Sequence, residues 1–213
     1  MSGCCEDECC GNAIRGDDGR FARLLWIALV VNAGMFVVEA GAGFAAGSLS
    51  LQADSLDFLG DAGNYAVSLM VVASAPAVRA KAALLKGATM GLFGLWIVAA
   101  TVWRAFNAVP PDPLTMSWVG LLALIANLGV AGLLWAYRGG DANMRSVWLC
   151  SRNDAIGNLV VLVAAAGVFG TQTAWPDLIV AAVMASLALQ AATMIVRHAF
   201  LELQDEAREQ KPA

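Results

Sequence analysis

The chain has 213 residues, of which 59% are hydrophobic and only 14% charged, against roughly 45–50% apolar and about 25% charged for soluble domains. That excess excludes an ordinary water-soluble domain and calls for a lipid solvent. The net charge of −4 argues against a nucleic-acid partner, which requires a basic patch.

In chain order, residues 1–20 form a polar tail with Cys4, Cys5, Cys9 and Cys10 among acidic residues, too short and too charged to fold alone. Paired thiols beside carboxylates suit accessory capture of a soft metal. On a cytosolic face they are expected as thiols rather than disulfides. No cleavable signal peptide is expected, because the first apolar run is full length and follows this polar segment rather than a simple basic one.

Six long apolar runs follow, and the pattern predicts helices at Leu24–Phe44, Leu51–Ser74, Ala82–Phe106, Leu114–Tyr137, Val147–Phe169 and Asp177–Val196. Each is near the roughly 20 residues that cross a bilayer as a helix. The runs are continuous and rich in Leu, Ala, Val and Gly, whereas barrel strands alternate over about ten residues. The expected fold is an all-α integral membrane protein with six transmembrane helices over residues 21–197 and a short cytosolic tail at 198–213. Pro110, Pro111 and Pro113 fit a rigid turn between the third and fourth spans.

Lys and Arg in short connections are retained on the cytoplasmic side. Six crossings place Arg15, Arg20, Arg23, Arg79, Lys81, Lys86, Arg138, Arg145, Arg197, Arg208 and Lys211 on one face, with Arg152 just inside the fifth span from it. Of the 13 basic residues, that leaves Arg104 towards the other side. Both termini are therefore expected in the cytoplasm.

Ionisable residues inside lipid cost roughly 2.5–3.5 kcal/mol each on insertion scales and mark candidate functional sites. The second span holds Asp54, Asp57 and Asp61 at spacings of three and four, on one helical face that continues to Asn64. The fifth span holds Cys150, Asp154 and Asn158 at successive spacings of four. Facing one another, Asp57, Asp61, Cys150 and Asp154 would supply three carboxylates and one thiolate to a divalent cation. Sulfur moves the preference towards Zn²⁺ or Cd²⁺ and away from Mg²⁺ or Ca²⁺. Four anionic groups cannot all stay charged once the ion leaves, so protons are expected to replace it.

These residues resemble the cation diffusion facilitator family of metal transporters. In the first span Asn32 and Glu39 lie within Leu-Val-Val-Asn-Ala-Gly-Met-Phe-Val-Val-Glu. The run from Gly47 to Asp61, Gly-Ser-Leu-Ser-Leu-Gln-Ala-Asp-Ser-Leu-Asp-Phe-Leu-Gly-Asp, is similar to the family's Gly-Ser-Leu-Ala-Leu turn and its first metal half-site. Cys150-Ser-Arg-Asn-Asp154 resembles the second half-site, and Trp175-Pro-Asp177 resembles a recurring entry to the sixth span. The resemblance implies a plasma-membrane metal-for-proton antiporter, a homodimer with alternating access that exports divalent metal. It implies no enzymatic activity and no resident cofactor, since the metal is cargo. The chain departs from the family in three ways: Cys150 stands where His is usual, no His-rich loop lies between Tyr137 and Val147, and the usual cytosolic C-terminal domain is not seen. A dimer would then be held by membrane helices.

Other residues read differently. Asn32 suits interhelical hydrogen bonding, Glu39 is open between that role and the pathway, and Asp54 stays outside the metal set. Arg152 reads as reaching for the interface. His198, in the last turn of the sixth span, reads as a structural cation at a helix terminus. Gly87, Gly91, Gly94, Ala181, Ala185 and Ala188 permit close packing. Rival functions are a metal-dependent membrane enzyme, disfavoured because Asp57 and Asp61 lack basic neighbours in their span, and a mercury-type importer fed by the cysteine tail.

Overall fold

The computed structural model describes residues 18–70, 76–107, 109–135 and 142–209. Among them are six helices, α1 (Asp18–Ala46), α2 (Leu49–Met70), α3 (Pro76–Phe106), α4 (Pro113–Leu133), α5 (Ala142–Thr171) and α6 (Trp175–Glu209). All six expected spans coincide with a helix. The main difference is at the end, where α6 continues to Glu209, so His198 lies within the helix and not at its terminus.

The short links are determined by local chemistry. Gly47 adopts φ +69°, the left-handed conformation that costs glycine least. It closes α1 with the Ser48 N–H on the Gly43 carbonyl at 2.9 Å and its own N–H on Phe44 at 3.3 Å, the paired bonds of a Schellman ending. At α4, the carboxylate of Asp112 accepts from the N–H groups of Leu114 and Thr115. Pro113 takes the first helical position, where its missing N–H costs nothing. The Asp112 N–H donates to the Ala46 carbonyl and the Arg104 guanidinium to that of Gly47. The α1–α2 and α3–α4 links therefore meet at one end of the bundle.

The α5–α6 link joins them there through Asp177. Buried on α6, its carboxylate accepts from the Leu49 and Ser50 N–H groups at 2.9 and 3.0 Å and from the Ser48 and Ser50 hydroxyls at 2.7 and 2.6 Å. A carboxylate from one helix thus caps the N-terminus of another, where exposed N–H groups and the helix dipole favour negative charge.

Helices α3 and α6 form an extensive packed pair, as do α1 with α2 and α4 with α5. The small residues of the α3–α6 seam work as the sequence suggests. A methyl group at Gly87 would come within 2.8 Å of Val196, and one at Gly94 within 3.1 Å of Leu189. Helix α2 lies at the centre and contributes to all four apolar clusters: Leu49, Ala53 and Leu56 with α3 and α6; Leu51 with α4 and α5; Tyr65 and Phe58 each with α1 and α4.

That placement explains a difference between helices. Five of them are long and apolar enough to cross a membrane, and α2 is not among them. The outer helices present Val30 at 67%, Leu92 at 71% and Trp118 at 71% exposure, a surface that requires lipid. From Leu49 to Leu56, by contrast, every residue of α2 is buried. A helix enclosed by protein can carry Asp54, Asp57 and Asp61 because its neighbours, and not lipid, surround them.

Candidate functional site

Two helices position the expected metal ligands. On α2, Asp57 and Asp61 are one turn apart, with Asp61 buried and Asp57 half-buried. On α5, Asp154 is half-buried and points back towards them. Asp61 and Asp57 both act electrostatically on Asp154 across the α2–α5 contact. A methyl group on Gly157 of α5 would stand 4.0 Å from the Asp57 Oδ2. The three carboxylates that the sequence selected thus lie on two neighbouring helices, with Asp154 in electrostatic reach of the other two. Cys150 lies on α5, but its side chain falls outside the described residues, as do Cys4, Cys5, Cys9 and Cys10 in full. Among the described residues no three carboxylate, thiol or imidazole groups already form an ion-holding set.

Asp61 has a second partner that sequence reasoning missed. The Tyr65 hydroxyl donates to Asp61 Oδ2 at 2.8 Å and lies 2.9 Å from the Ser151 Oγ. A phenol has one proton; with that proton on Asp61, Tyr65 accepts from Ser151. Tyr65 thereby bridges α2 to α5 next to Cys150. The signal was present in the spacing, since Tyr65 stands four residues beyond Asp61 and continues the stripe of Asp57 and Asp61. Asn64, on the same stretch of α2, accepts instead from Lys86 of α3. Lys86 acts favourably on Asp61 through charge, so α3 also reaches the site.

Other expected roles are resolved by geometry. Asn32 donates to the Ala28 carbonyl of its own helix at 2.8 Å and not to a neighbouring one. Asn158 does the same to the Asp154 carbonyl at 2.7 Å. Arg152 is exposed and donates to Asn153, in keeping with its reading as an interfacial residue.

An all-helical bundle with a lipid-type exterior and carboxylates on two neighbouring helices inside it is the frame of an ion-translocating protein. Comparison with known proteins agrees: the family model of the cation efflux transmembrane domain matches residues 25–204. The chain belongs to that family. It is a multi-pass membrane protein. Among curated proteins it is similar to the cadmium, cobalt and zinc/H(+)-K(+) antiporter of Bacillus subtilis (strain 168), 27% identical over 196 residues that cover 82% of this chain and 60% of the relative. The protein of the same name from Bacillus velezensis is 26% identical over 190 residues, covering 81% and 59%. The chain thus spans about 60% of the length of these curated relatives.

Proposed function

We propose that this member of the cation efflux family exports divalent transition metal of the Zn²⁺ and Cd²⁺ class in exchange for protons, by alternating access to a site made by Asp57, Asp61, Cys150 and Asp154. The feature that carries the reading is that Asp57 and Asp61 on α2 lie within electrostatic reach of Asp154 on α5, inside a bundle of the cation efflux family. Neighbouring carboxyl groups away from water do not all stay ionised without a cation, and a metal bound there must displace the proton, because ligands bind deprotonated. Metal entry and proton release are then two sides of one event at the same oxygens. The names of the similar Bacillus proteins, which couple cadmium, cobalt and zinc to H⁺ and K⁺, support the same class of exchange.

In this reading all six helices span the plasma membrane with both ends in the cytoplasm, and two copies associate through their helices. Tyr65 and Lys86 orient and partly balance the empty site. Transport and not catalysis is the activity, and the cysteine tail receives soft metal without being required for flux.

The test is metal flux in reconstituted vesicles, with and without an imposed pH gradient and with membrane potential clamped, using Asp61→Ala as the blank. Export accelerated by inward protons is expected. Flux indifferent to the gradient would replace the antiporter by a uniporter or channel. Net movement into the cytosolic side against the metal gradient would favour the importer.

A further inference from the structure

The surroundings of α2 change along its length. Towards the end where the three links meet, residues 49–56 are buried without a break, and Asp177 closes the helix N-terminus through its bonds to Ser48, Leu49 and Ser50. Beyond Asp61 the burial falls, and residues 63, 64 and 66–69 are half-buried. The acidic face of α2 is therefore closed towards the link end and looser towards the other, the end that the export reading places in the cytoplasm.

Lys86 of α3 lies on that looser side. Its stem crosses α2 at Gly63, where a methyl group would stand 2.7 Å from the lysine Cδ, 3.2 Å from Cε and 3.3 Å from Cγ. A side chain at residue 63 would obstruct that path, so the glycine provides a slot for three successive carbons. At the end of the slot the ammonium donates to the Asn64 Oδ1. Asn64 stands three residues, about 4.5 Å of helix axis, beyond Asp61 and on the same face. Side chains on a helix lean towards its N-terminus. Tyr65 shows that lean directly, since its hydroxyl reaches back to Asp61 Oδ2 at 2.8 Å. The ammonium is thus held about one turn from Asp61, between the acids and the looser end.

A cation in that place acts on arriving metal in two ways. It occupies the approach, and it repels a second cation at the acids, because like charges a few ångströms apart interact strongly away from bulk water. Its four-carbon stem is flexible, so the head group can swing aside. We propose that Lys86 is a displaceable gate of the metal site, a tethered cation seated on Gly63 and Asn64 that metal entering from the looser end must push aside to reach Asp61. The gate acts by charge on every arriving cation alike and lowers affinity without choosing the metal; choice stays with the ligands. It rests on the metal-site reading, and it differs from a supporting role in one respect: loss of the lysine strengthens binding.

The experiment uses the purified full chain with Cd²⁺ and Zn²⁺ as probes, chelator competition for the dissociation constant and stopped-flow mixing for the association rate. Lys86→Met keeps an unbranched stem on Gly63 and removes the charge. It should bind Cd²⁺ at least about tenfold more tightly than wild type, with faster association and an equal gain for Zn²⁺. Gly63→Ala keeps the charge and drives the stem from its slot, and should shift both constants the same way by a smaller factor. A Lys86→Met dissociation constant within about twofold of wild type, or a weaker one, overturns the gate, and the metal site stands so long as Asp61→Asn abolishes binding. Should Lys86→Met not elute as a monodisperse protein, Gly63→Ala decides, and an unchanged or weaker constant there overturns the gate. If Asp61→Asn binds Cd²⁺ as wild type does, the metal-site reading fails and the gate falls with it.

Discussion

Replacing Tyr65 by Phe removes one oxygen from the core and leaves the ring where it is. That ring is 1% exposed and packs with Leu25, Ala28, Val130 and Leu134, so the fold has no cavity to absorb and no polar group to bury. What is lost is the 2.8 Å bond to Asp61 and the 2.9 Å contact with Ser151. A hydrogen bond to a charged group contributes about 1.5–3 kcal/mol, and about 1.4 kcal/mol is tenfold in an equilibrium constant. If Tyr65 holds Asp61 in the orientation that receives the metal, Tyr65→Phe should weaken Cd²⁺ binding by about 10- to 100-fold, the range for partners that orient ligands. Ser151→Ala, which removes a neutral contact of about 0.5–1.5 kcal/mol, should have a smaller effect in the same direction. Competition with a chromophoric chelator at fixed pH measures both. A Tyr65→Phe dissociation constant within about twofold of wild type, in a preparation where Asp61→Asn abolishes binding, would refute the argument, because tenfold requires only 1.4 kcal/mol.

Further outcomes test other parts of the structure. Cys150→His should raise preference for Zn²⁺ over Cd²⁺, since sulfur is the softer ligand; an unchanged selectivity ratio in the chelator assay would remove Cys150 from the ligand set. Gly87→Val should destabilise the α3–α6 seam by about 1–3 kcal/mol, because even a methyl group there meets Val196 at 2.8 Å, and the readout is a lower thermal midpoint in detergent. Asp112 lies outside the membrane spans, and its Thr115 hydroxyl contact, assisted by the Thr115 and Leu114 N–H groups, holds its carboxyl below the ordinary carboxylate range. Its cap therefore contributes fully above the unfolded-state value and is lost as pH falls through the lower folded value. Asp112→Asn should flatten the acid limb of a melting-temperature profile and leave neutral pH little changed.

The sequence by itself determined the architecture, because membrane helices are apolar over the thickness of a bilayer and their polar breaks are short. It determined the acidic stripes of the second and fifth spans for a similar reason: carboxylates inside lipid are rare and costly, so Asp57, Asp61 and Asp154 stand out against their surroundings at helical spacing. The α3–α6 glycines were legible on the same grounds, as small residues at one face. Tertiary structure decided what depends on neighbours distant in sequence. That Asp61 lies in electrostatic reach of Asp154, that Tyr65 and not Asn64 supports it, and that Lys86 approaches from α3 are matters of helix rotation, which spacing leaves open by tens of degrees. The same holds for Asp177, which caps a helix that begins 128 positions earlier in the chain, and for Asn32, which turns to its own backbone. Glu39 and Asp54 make the point most plainly. Spacing leaves open which way each faces, and only the packed helices show that both are buried with no donor on their carboxyl oxygens among the described residues.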